Sequence, residues 1–344
     1  MEEKILKDLV GFNTIKDRQN KEILDYIENY LENLGFTVEK RKKYLVMSYG
    51  KSPKLAFIGH SDTVEYIDGW DSNPFILTKK ENNLYGLGAC DMKGGIAAFL
   101  SALSDIDLKK LKYGIKVIIT YDEEIAFTGI KEVIKDDIKI PEYVIVGEPT
   151  DNKAMTGCKG LFAVKVFTNG IKVHSSTPHK GKSANLNMIK LLNELDIFYN
   201  ENIKGEINKE YEVPYTTMNI GLLNGGSAIN SVAASCMSYV DFRTVSNDHV
   251  ELLKCKLNEL CKKYDAKYEI DIDVKTFYNN IDFLGKTYTA GFMTEASFIG
   301  ECKRIILGVG PMSAHEINEH VNIESLKNCK EQYIKIVKET CNIQ

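Results

Sequence analysis

The sequence predicts an α/β protein in which a larger domain is interrupted by a smaller α+β domain. Near both ends of the chain, short apolar strands alternate with helical patterns, which is typical of a mostly parallel sheet buried between helices. The middle of the chain instead has the element order βαββαβ, which fits a two-layer domain. We therefore expect a first segment at residues 1–158, an inserted domain at 159–275 and a returning segment at 276–344.

The first segment opens with apolar residues at helical spacing. These residues are Ile5, Leu9, Ile23, Ile27 and Leu31, and Gly35 follows as a stop signal. Apolar runs then predict strands at Leu55–Gly59, Gly114–Tyr121 and Tyr143–Gly147, and a helix at Gly94–Ser104.

The inserted domain and the returning segment are predicted from the same two periodicities. Strands are expected at Phe162–Phe167, Thr216–Leu223, Ala233–Arg243 and Lys267–Val274, and helices at Ala184–Tyr199 and Asp248–Tyr264. The pattern of the larger domain then returns with a strand at Arg304–Val309 and a closing helix at Ile323–Thr340.

Composition argues against several classes of protein. The 44 basic and 48 acidic side chains give a formal net charge of −4, so electrostatics do not favour nucleic acid or an anionic membrane as a partner. No apolar run approaches the length of a transmembrane helix, and the stretch MEEKILKDLV lacks the features of a signal peptide. The eight cysteines contain no C-x-x-C pair, so we expect reduced thiols in a cytoplasmic protein.

Polar clusters follow several predicted strands, where open α/β sheets build their sites. The first is GHSDTV, in which His60 and Asp62 face the same way along an extended chain. A metal-bound imidazole usually donates its other N–H to a carboxylate, and Asp62 is placed to accept it. The alternative is a hydrogen-bonded histidine at a strand end.

The second cluster is GLGACDMKGG, in which glycines flank Asp91 and let the backbone approach a ligand closely. The glycines lack the G-x-G-x-x-G spacing of a dinucleotide loop. Cys90 is an alternative nucleophile, but no base accompanies it in the sequence, and a buried thiol is the simpler interpretation.

Three further stretches complete the set. Glu123 and Glu124 follow a strand, and adjacent carboxylates point to opposite sides, so one can bind a metal while the other faces a water. Glu148 also ends a strand, in GEPT. The stretch GVGPMSAHEINEHV holds His315 and is not an H-E-x-x-H motif, because His320 comes five residues later. The alternatives are a solvated acidic loop and a capped loop histidine.

Together these groups predict a metal-dependent hydrolase. Imidazole and carboxylate ligands without thiolate suit Zn²⁺, Mn²⁺ or Co²⁺. A carboxylate shared between two ions is the usual arrangement of a two-metal hydrolase.

The five stretches, in this order along nearly the whole chain, resemble a family of di-zinc amidohydrolases and exopeptidases. It includes acetylornithine deacetylase, succinyl-diaminopimelate desuccinylase, aminoacylase and carboxypeptidase G. The resemblance implies a zinc-exopeptidase-like three-layer α/β/α catalytic domain with an inserted ferredoxin-like lid and dimerisation domain. It also implies a homodimer and two Zn²⁺ per subunit, with Co²⁺ or Mn²⁺ as substitutes.

The resemblance assigns roles to the motif residues. His60 and Glu148 are ligands of the first metal, Glu124 and His315 are ligands of the second, and Asp91 bridges them. By the same resemblance, Glu123 is the general base and Asp62 the carboxylate partner of the first histidine.

Residues of the inserted domain resemble substrate-binding groups. His174 in GIKVHSSTP resembles a histidine that stabilises the oxyanion, often from the partner subunit. Arg243 in DFR, one of only four arginines, resembles the residue that binds the substrate α-carboxylate. Asn230, in a GG-x-x-x-N stretch, resembles part of a substrate-binding segment.

Within this family the stretches TEASF and GVGPMSAHEINEHV are most similar to acetylornithine deacetylase, although the chain is shorter and Ser297 stands where a proline is expected. We therefore expect hydrolysis of an N-acyl amino acid, with N-acetylornithine of arginine biosynthesis as first candidate and Glu295 contacting its side-chain amine. The nearest alternatives are a desuccinylase, a dipeptidase or an aminopeptidase. Alternatives of other classes are a non-catalytic binding protein on the same fold and a Cys90-dependent hydrolase.

Overall fold

The computed structural model describes residues 1–16, 18 and 20–342. Its helices are α1 (Glu2–Val10), α2 (Asn20–Asn33), α3 (Lys93–Asp105), α4 (Glu123–Ala126), α5 (Thr128–Lys135), α6 (Ala184–Asn202), α7 (Asp248–Tyr264) and α8 (Ile323–Cys341). Its first eight strands are β1 (Thr37–Arg41), β2 (Tyr44–Tyr49), β3 (Leu55–His60), β4 (Thr78–Lys80), β5 (Asn83–Tyr85), β6 (Ile115–Thr120), β7 (Tyr143–Val146) and β8 (Met155–Cys158). The other eight are β9 (Gly160–Asn169), β10 (Thr217–Gly225), β11 (Ser235–Thr244), β12 (Ala266–Val274), β13 (Phe277–Tyr278), β14 (Tyr288–Ala290), β15 (Lys303–Ile306) and β16 (His320–Asn322).

The chain divides into two compact units. The first comprises Met1–Thr156, Asn279–Tyr288 and Thr294–Gln344, and the second comprises Gly157–Tyr278 and Thr289–Met293. None of the helices in the described part of the chain is both long and apolar enough to cross a membrane.

The sheet of the first unit has parallel strands at its centre. The strand order is β1-β2-β6-β3-β7-β15-β8, in which β6, β3, β7 and β15 are parallel neighbours. The flanking strands are antiparallel, which limits the predicted parallel sheet to the central strands. Because parallel strands end at the same edge of a sheet, the last residues of β3 and β6, His60 and Thr120, lie side by side.

Helices α3 and α8 pack on β3 through three buried aromatic rings. Phe57 of β3 stacks on Phe99 of α3 with ring centroids 4.2 Å apart, and Tyr333 of α8 meets both rings edge-on. Near the start of α3, a side-chain carbon on Gly95 would lie 2.2 Å from the main-chain oxygen of Gly147, so only glycine fits there. This close approach brings the start of α3 beside the end of β7.

The second unit is a two-layer α+β domain. Its antiparallel sheet has the strand order β10-β11-β9-β12, and the chain order is β9-α6-β10-β11-α7-β12. Helices α6 and α7 cover one face of the sheet, where Leu195 and Leu257 join Val164 and Phe242 in a buried cluster. The predicted ferredoxin-like arrangement is confirmed. Strand β10 lies at an edge of this sheet, and most of its residues are exposed.

Every strand and helix named in the sequence analysis is present, with ends that differ by a few residues. The prediction omitted the helices α4 and α5, the hairpin of β1 and β2 and the short strands β4, β5, β8, β13, β14 and β16. Most of these elements have only two to six residues, and β1 is largely exposed, so they carry little of the apolar periodicity on which the prediction depends.

Candidate metal centre

Three loops at the edge of the central sheet bring a first set of ligands together. His60 ends β3, Asp91 lies just before α3, and Glu148 follows β7. The ligand atoms of these three residues all lie within 4.8 Å of one another. The Nε2 atom of His60 is 3.2 Å from Asp91 Oδ1 and 3.9 Å from Glu148 Oε1.

A second set of ligands shares Asp91 with the first. Asp91, Glu124 and His315 also have ligand atoms within 4.8 Å of one another. The Nε2 atom of His315 is 3.1 Å from Glu124 Oε2 and 3.5 Å from Asp91 Oδ2. Asp91 therefore presents one oxygen to each histidine, as a bridging carboxylate would. The side chain of His315 is 54% exposed, so the centre opens to solvent on this side.

The centre contains an excess of negatively charged groups, which bound cations would balance. Burial, followed by the negative charges of Asp91 and Glu123, raises the pKa of Glu148 well above its usual range. Burial likewise raises the pKa of Glu123 to about 8, although the nearby His60 opposes this shift. The hydrogen bonds to Asp91 and Glu124 raise the pKa of His315 to about 10. Burial first, and then the negative charges around them, raise the pKa of the two acids, and the neighbouring carboxylates raise that of the imidazole.

These residues fit two divalent cations. Imidazole nitrogens and carboxylate oxygens that lie within 4.8 Å of one another suit Zn²⁺ as ligands. Two such cations would also neutralise the excess negative charge. Cys90 takes no part in either ligand set, because its buried thiol donates to the main-chain oxygen of Pro311 at 3.1 Å. Burial raises the pKa of this thiol, so the alternative of a Cys90 nucleophile is not supported.

Asp62 has a second set of contacts besides the predicted one. Its carboxylate Oδ1 is 3.6 Å from His60 Nδ1, and its main-chain oxygen is nearer to the same nitrogen, at 3.1 Å. The carboxylate also accepts the main-chain N–H groups of Glu123 at 3.3 Å and Glu124 at 3.2 Å. Asp62 therefore fixes the start of α4, which carries both glutamates.

Glu295 lies in the first unit and is fully buried. One of its carboxylate oxygens accepts the hydroxyl of Thr120 at the end of β6, and among the described residues the other oxygen has no hydrogen-bond partner. Burial raises the pKa of Glu295 to about 7. In this arrangement its carboxylate is not open to solvent, and its predicted contact with a substrate amine stays a prediction.

Glu319 is a buried residue of the centre that the sequence analysis missed. It accepts main-chain N–H groups of the loop that carries Asp91. Its only signal in the sequence is its place in GVGPMSAHEINEHV, four residues after His315.

The second unit brings His174 and Asn230 together. His174 pairs with Ser231 in an isolated β-bridge, and the main-chain N–H of Ser175 donates to the main-chain oxygen of Asn230 at 2.9 Å. The main-chain N–H of Ser176 donates to His174 Nδ1 at 3.2 Å. Because Nδ1 is an acceptor there, the neutral ring carries its proton on Nε2. This exposed histidine is thus a hydrogen-bond donor through Nε2.

A small cavity of the second unit contains two cationic side chains. Its volume is about 180 Å³, and its lining includes Arg243, Lys159 and Thr217. Arg243 donates from Nε and Nη2 to Asp241, and Lys159 Nζ donates to the main-chain oxygen of Tyr215 at 2.7 Å. Burial and the charge of Arg243 lower the pKa of Lys159. Arg243 is among the residues predicted from the sequence, and Lys159 is not.

Comparison with known proteins identifies relatives of this chain. A sequence profile described as "Peptidase family M20/M25/M40" matches residues 56–339. The acetylornithine deacetylase of Pasteurella multocida (strain Pm70) is 31% identical over 358 residues, covering 94% of this chain and 92% of that protein. The crystal structure of a tripeptidase from Staphylococcus aureus has a TM-score of 0.79 at 22% identity, covering 99% and 98% of the two chains. A dinuclear metal-binding peptidase of Bacillus subtilis has a TM-score of 0.74 at 11% identity, covering 100% and 98%.

Proposed function

The chain belongs to peptidase family M20/M25/M40, and we propose that it removes the acetyl group from N-acetylornithine as a two-zinc amidohydrolase. The single observation that carries the chemistry is the position of Asp91, whose two oxygens face His60 and His315 in two separate ligand sets. The choice of substrate is supported by curated relatives named acetylornithine deacetylase, which match almost the whole chain. In this function the protein supplies ornithine for arginine synthesis in the cytoplasm.

We assign His60, Asp91 and Glu148 to one cation and Asp91, Glu124 and His315 to the other. When bound, such cations polarise the amide carbonyl and lower the pKa of a water molecule. Co²⁺ and Mn²⁺ accept the same donors and are expected to substitute for Zn²⁺.

Glu123 is the proposed proton carrier. A carboxylate oxygen of Glu123 takes a proton from the attacking water and later gives it to the leaving nitrogen, so the same group serves as base and then as acid. Its Oε2 lies 4.0 Å from His60 Nε2, at the edge of the ligand sets. The main-chain N–H groups of Glu123 and Glu124 donate to Asp62 and so fix the start of α4, from which the Glu123 side chain extends.

His174 is proposed to stabilise the negative charge that develops on the carbonyl oxygen. Its Nε2–H is available because Ser176 donates to Nδ1. A donor that is already oriented needs no rearrangement when the charge develops, which is the main source of such stabilisation. His174 can act within its own subunit or on the site of a partner.

Arg243 and Lys159 are proposed to bind the α-carboxylate of the substrate, and Asn230 is proposed to belong to a substrate-binding segment. The lining of the cavity brings the N–H donors of these two cationic side chains together, beside the carboxylate of Glu212 and with Asp241 paired to Arg243. The pair of cationic donors facing one cavity is what supports an anion site. Glu295 is proposed to attract the side-chain ammonium of ornithine, because one of its buried oxygens has no partner in the described part of the chain.

A homodimer through the second unit is proposed as the assembled form, with this unit as lid. In the described part of the chain, strand β10 is an edge strand that pairs only with β11, and Ile220, Leu222 and Leu223 on it are exposed. Exposed apolar edges of this kind favour pairing with a second copy.

The test is the kcat/KM of the zinc-loaded protein on a matched set of compounds. N-acetylornithine is compared with N-acetylnorvaline, which has the same chain without the ammonium, with N-succinyl-diaminopimelate and with di- and tripeptides. N-acetylornithine should have the highest kcat/KM. A peptide as the best substrate would make the protein a peptidase of the same family, and a succinylated substrate would make it a desuccinylase.

A further inference from the structure

Glu319 is a buried carboxylate that none of the proposed catalytic steps uses. It is 2% exposed and lies directly before β16. Its Oε2 accepts the main-chain N–H of Gly88 at 2.7 Å, and its Oε1 accepts those of Cys90 at 2.8 Å and Asp91 at 2.9 Å. Its own main-chain oxygen accepts the N–H of Gly86 at 3.1 Å. One residue thus holds the whole loop that ends at Asp91.

These hydrogen bonds connect two ligands of one cation site. His315 and Glu124 belong to the second ligand set, and Asp91 belongs to both sets. Glu319 is joined to Asp91 by hydrogen bonds and to His315 by a few residues of chain. Glu319 thus links the segments that carry His315 and Asp91, whose Nε2 and Oδ2 atoms are 3.5 Å apart. Glu319 is itself in neither of these ligand sets.

A carboxylate suits this position better than any neutral side chain. Its oxygens only accept, and charge-assisted hydrogen bonds to main-chain N–H groups are stronger than neutral ones. A glutamine here would turn its own N–H₂ group towards a main-chain N–H and leave a buried donor without an acceptor, which is costly. The loop would then move, and Asp91 would move with it.

We propose that Glu319 is a positioning residue that sets the distance between Asp91 and His315 and thereby the affinity of the second cation site. This inference rests on the two-cation centre proposed above. Its test therefore measures cation binding and does not depend on hydrolysis.

The experiment compares Glu319→Gln with the unaltered protein and with two other variants. Glu316→Gln is the matched control, because Glu316 is an exposed residue of the same segment and loses the same charge. His315→Ala is the reference for loss of the second site. Each protein is stripped with a chelator and titrated with Zn²⁺ against a chromophoric chelator, and the melting temperature of the stripped form is recorded.

We expect the unaltered protein and Glu316→Gln to bind two Zn²⁺ with the same affinities. Glu319→Gln should bind the second Zn²⁺ about 10–100-fold more weakly and the first with a smaller loss, because Asp91 and His315 of the second site both depend on Glu319 but only Asp91 of the first site does. It should resemble His315→Ala. Glu319→Asp keeps the charge and should weaken the same site less. If Glu319→Gln does not fold, the affinity of Glu319→Asp decides, with a weaker second site expected.

Two results would overturn the inference while leaving the two-cation centre intact. One is unchanged affinity at both sites in the Glu319 variants. The other is an equal loss at both sites together with a lower melting temperature of the stripped protein, which would indicate a merely structural role. An unaltered protein that binds a single Zn²⁺ would instead contradict the two-cation centre, and this inference with it.

Discussion

The carboxylate of Asp62 accepts the main-chain N–H of Glu123 at a distance of 3.3 Å. The other oxygen of the same carboxylate holds Glu124. Asp62 comes two residues after His60, so one short segment at the end of β3 supplies a metal-ligand candidate and fixes the glutamate pair that follows β6. Support for the proposed general base, Glu123, is therefore built into the edge of the central sheet.

Replacing Asp62 tests this support. In Asp62→Asn one oxygen becomes an N–H₂ group that faces a main-chain N–H, so the start of α4 should shift. We expect kcat to fall by about 10–100-fold, the usual effect of losing a residue that orients catalytic groups. The measurement is steady-state kinetics beside the control Asp68→Asn, whose aspartate is exposed. Equal kinetics in the two variants would rule out the supporting role.

Glu123→Gln tests the proton carrier. The amide keeps the shape of the side chain but cannot take up a proton at neutral pH, so kcat should fall by about 10²–10⁴-fold. Glu123 also has a carboxylate oxygen within 4.8 Å of ligand atoms of His60 and Glu124, but it belongs to neither of the two sets that share Asp91. The number of Zn²⁺ bound per chain should therefore stay the same. Metal analysis and kinetics on one preparation check both statements, and near-normal turnover would refute the role.

Lys159→Met tests the proposed anion-binding role of the cavity in the second unit. Methionine fills a similar volume without charge, so binding of the α-carboxylate should weaken. A lost hydrogen bond to a charged group is worth about 1.5–3 kcal/mol, which corresponds to a rise in KM of about 10–100-fold with little change in kcat. Lys165→Met is the control, because Lys165 lies on the strand β9 and forms an ion pair with Asp271 at 2.8 Å. A fall in kcat alone would place Lys159 in another role.

The pKa of Glu2 predicts how the stability of the first unit depends on pH. Although burial opposes it, a main-chain hydrogen bond, Ser101 and Lys330 lower the pKa of Glu2 from 4.5 to about 2. A lowered pKa in the folded state means that ionised Glu2 stabilises the fold above its ordinary pKa, and this contribution disappears as the pH falls.

In Glu2→Gln the free energy of unfolding should therefore be lower near neutral pH, and the difference from the unaltered protein should shrink as the pH falls from about 5 to about 3. Urea titrations at several pH values measure this, with Glu3→Gln as the more exposed control. A difference that stays constant over this range would contradict the prediction.

Strand-end residues of the centre could be predicted from the sequence, because a simple physical rule places them. The carboxyl ends of parallel strands meet at one edge, so His60 after β3, Glu124 after β6 and Glu148 after β7 had to be neighbours. The rule gives no distances, and it does not show that Asp91 lies between two histidines. That arrangement depends on α3 approaching β7 at Gly95.

Glu319 and Lys159 could not be predicted, because their partners are main-chain groups. Glu319 is 231 residues from Gly88 in the chain, and main-chain N–H groups leave no signature in the residue types. Lys159 donates to the main-chain oxygen of Tyr215, and this contact likewise leaves no signature in the residue types. Side chains that form hydrogen bonds with the main chain of a distant loop can be recognised only when the fold is known.

The most direct measurement is the release of acetate and ornithine from N-acetylornithine by the protein loaded with two Zn²⁺. We predict that acetate and ornithine form in equal amounts, that chelation stops their release and that added Zn²⁺ restores it. Two bound Zn²⁺ per chain with no acetate released above the uncatalysed rate would contradict the proposed function.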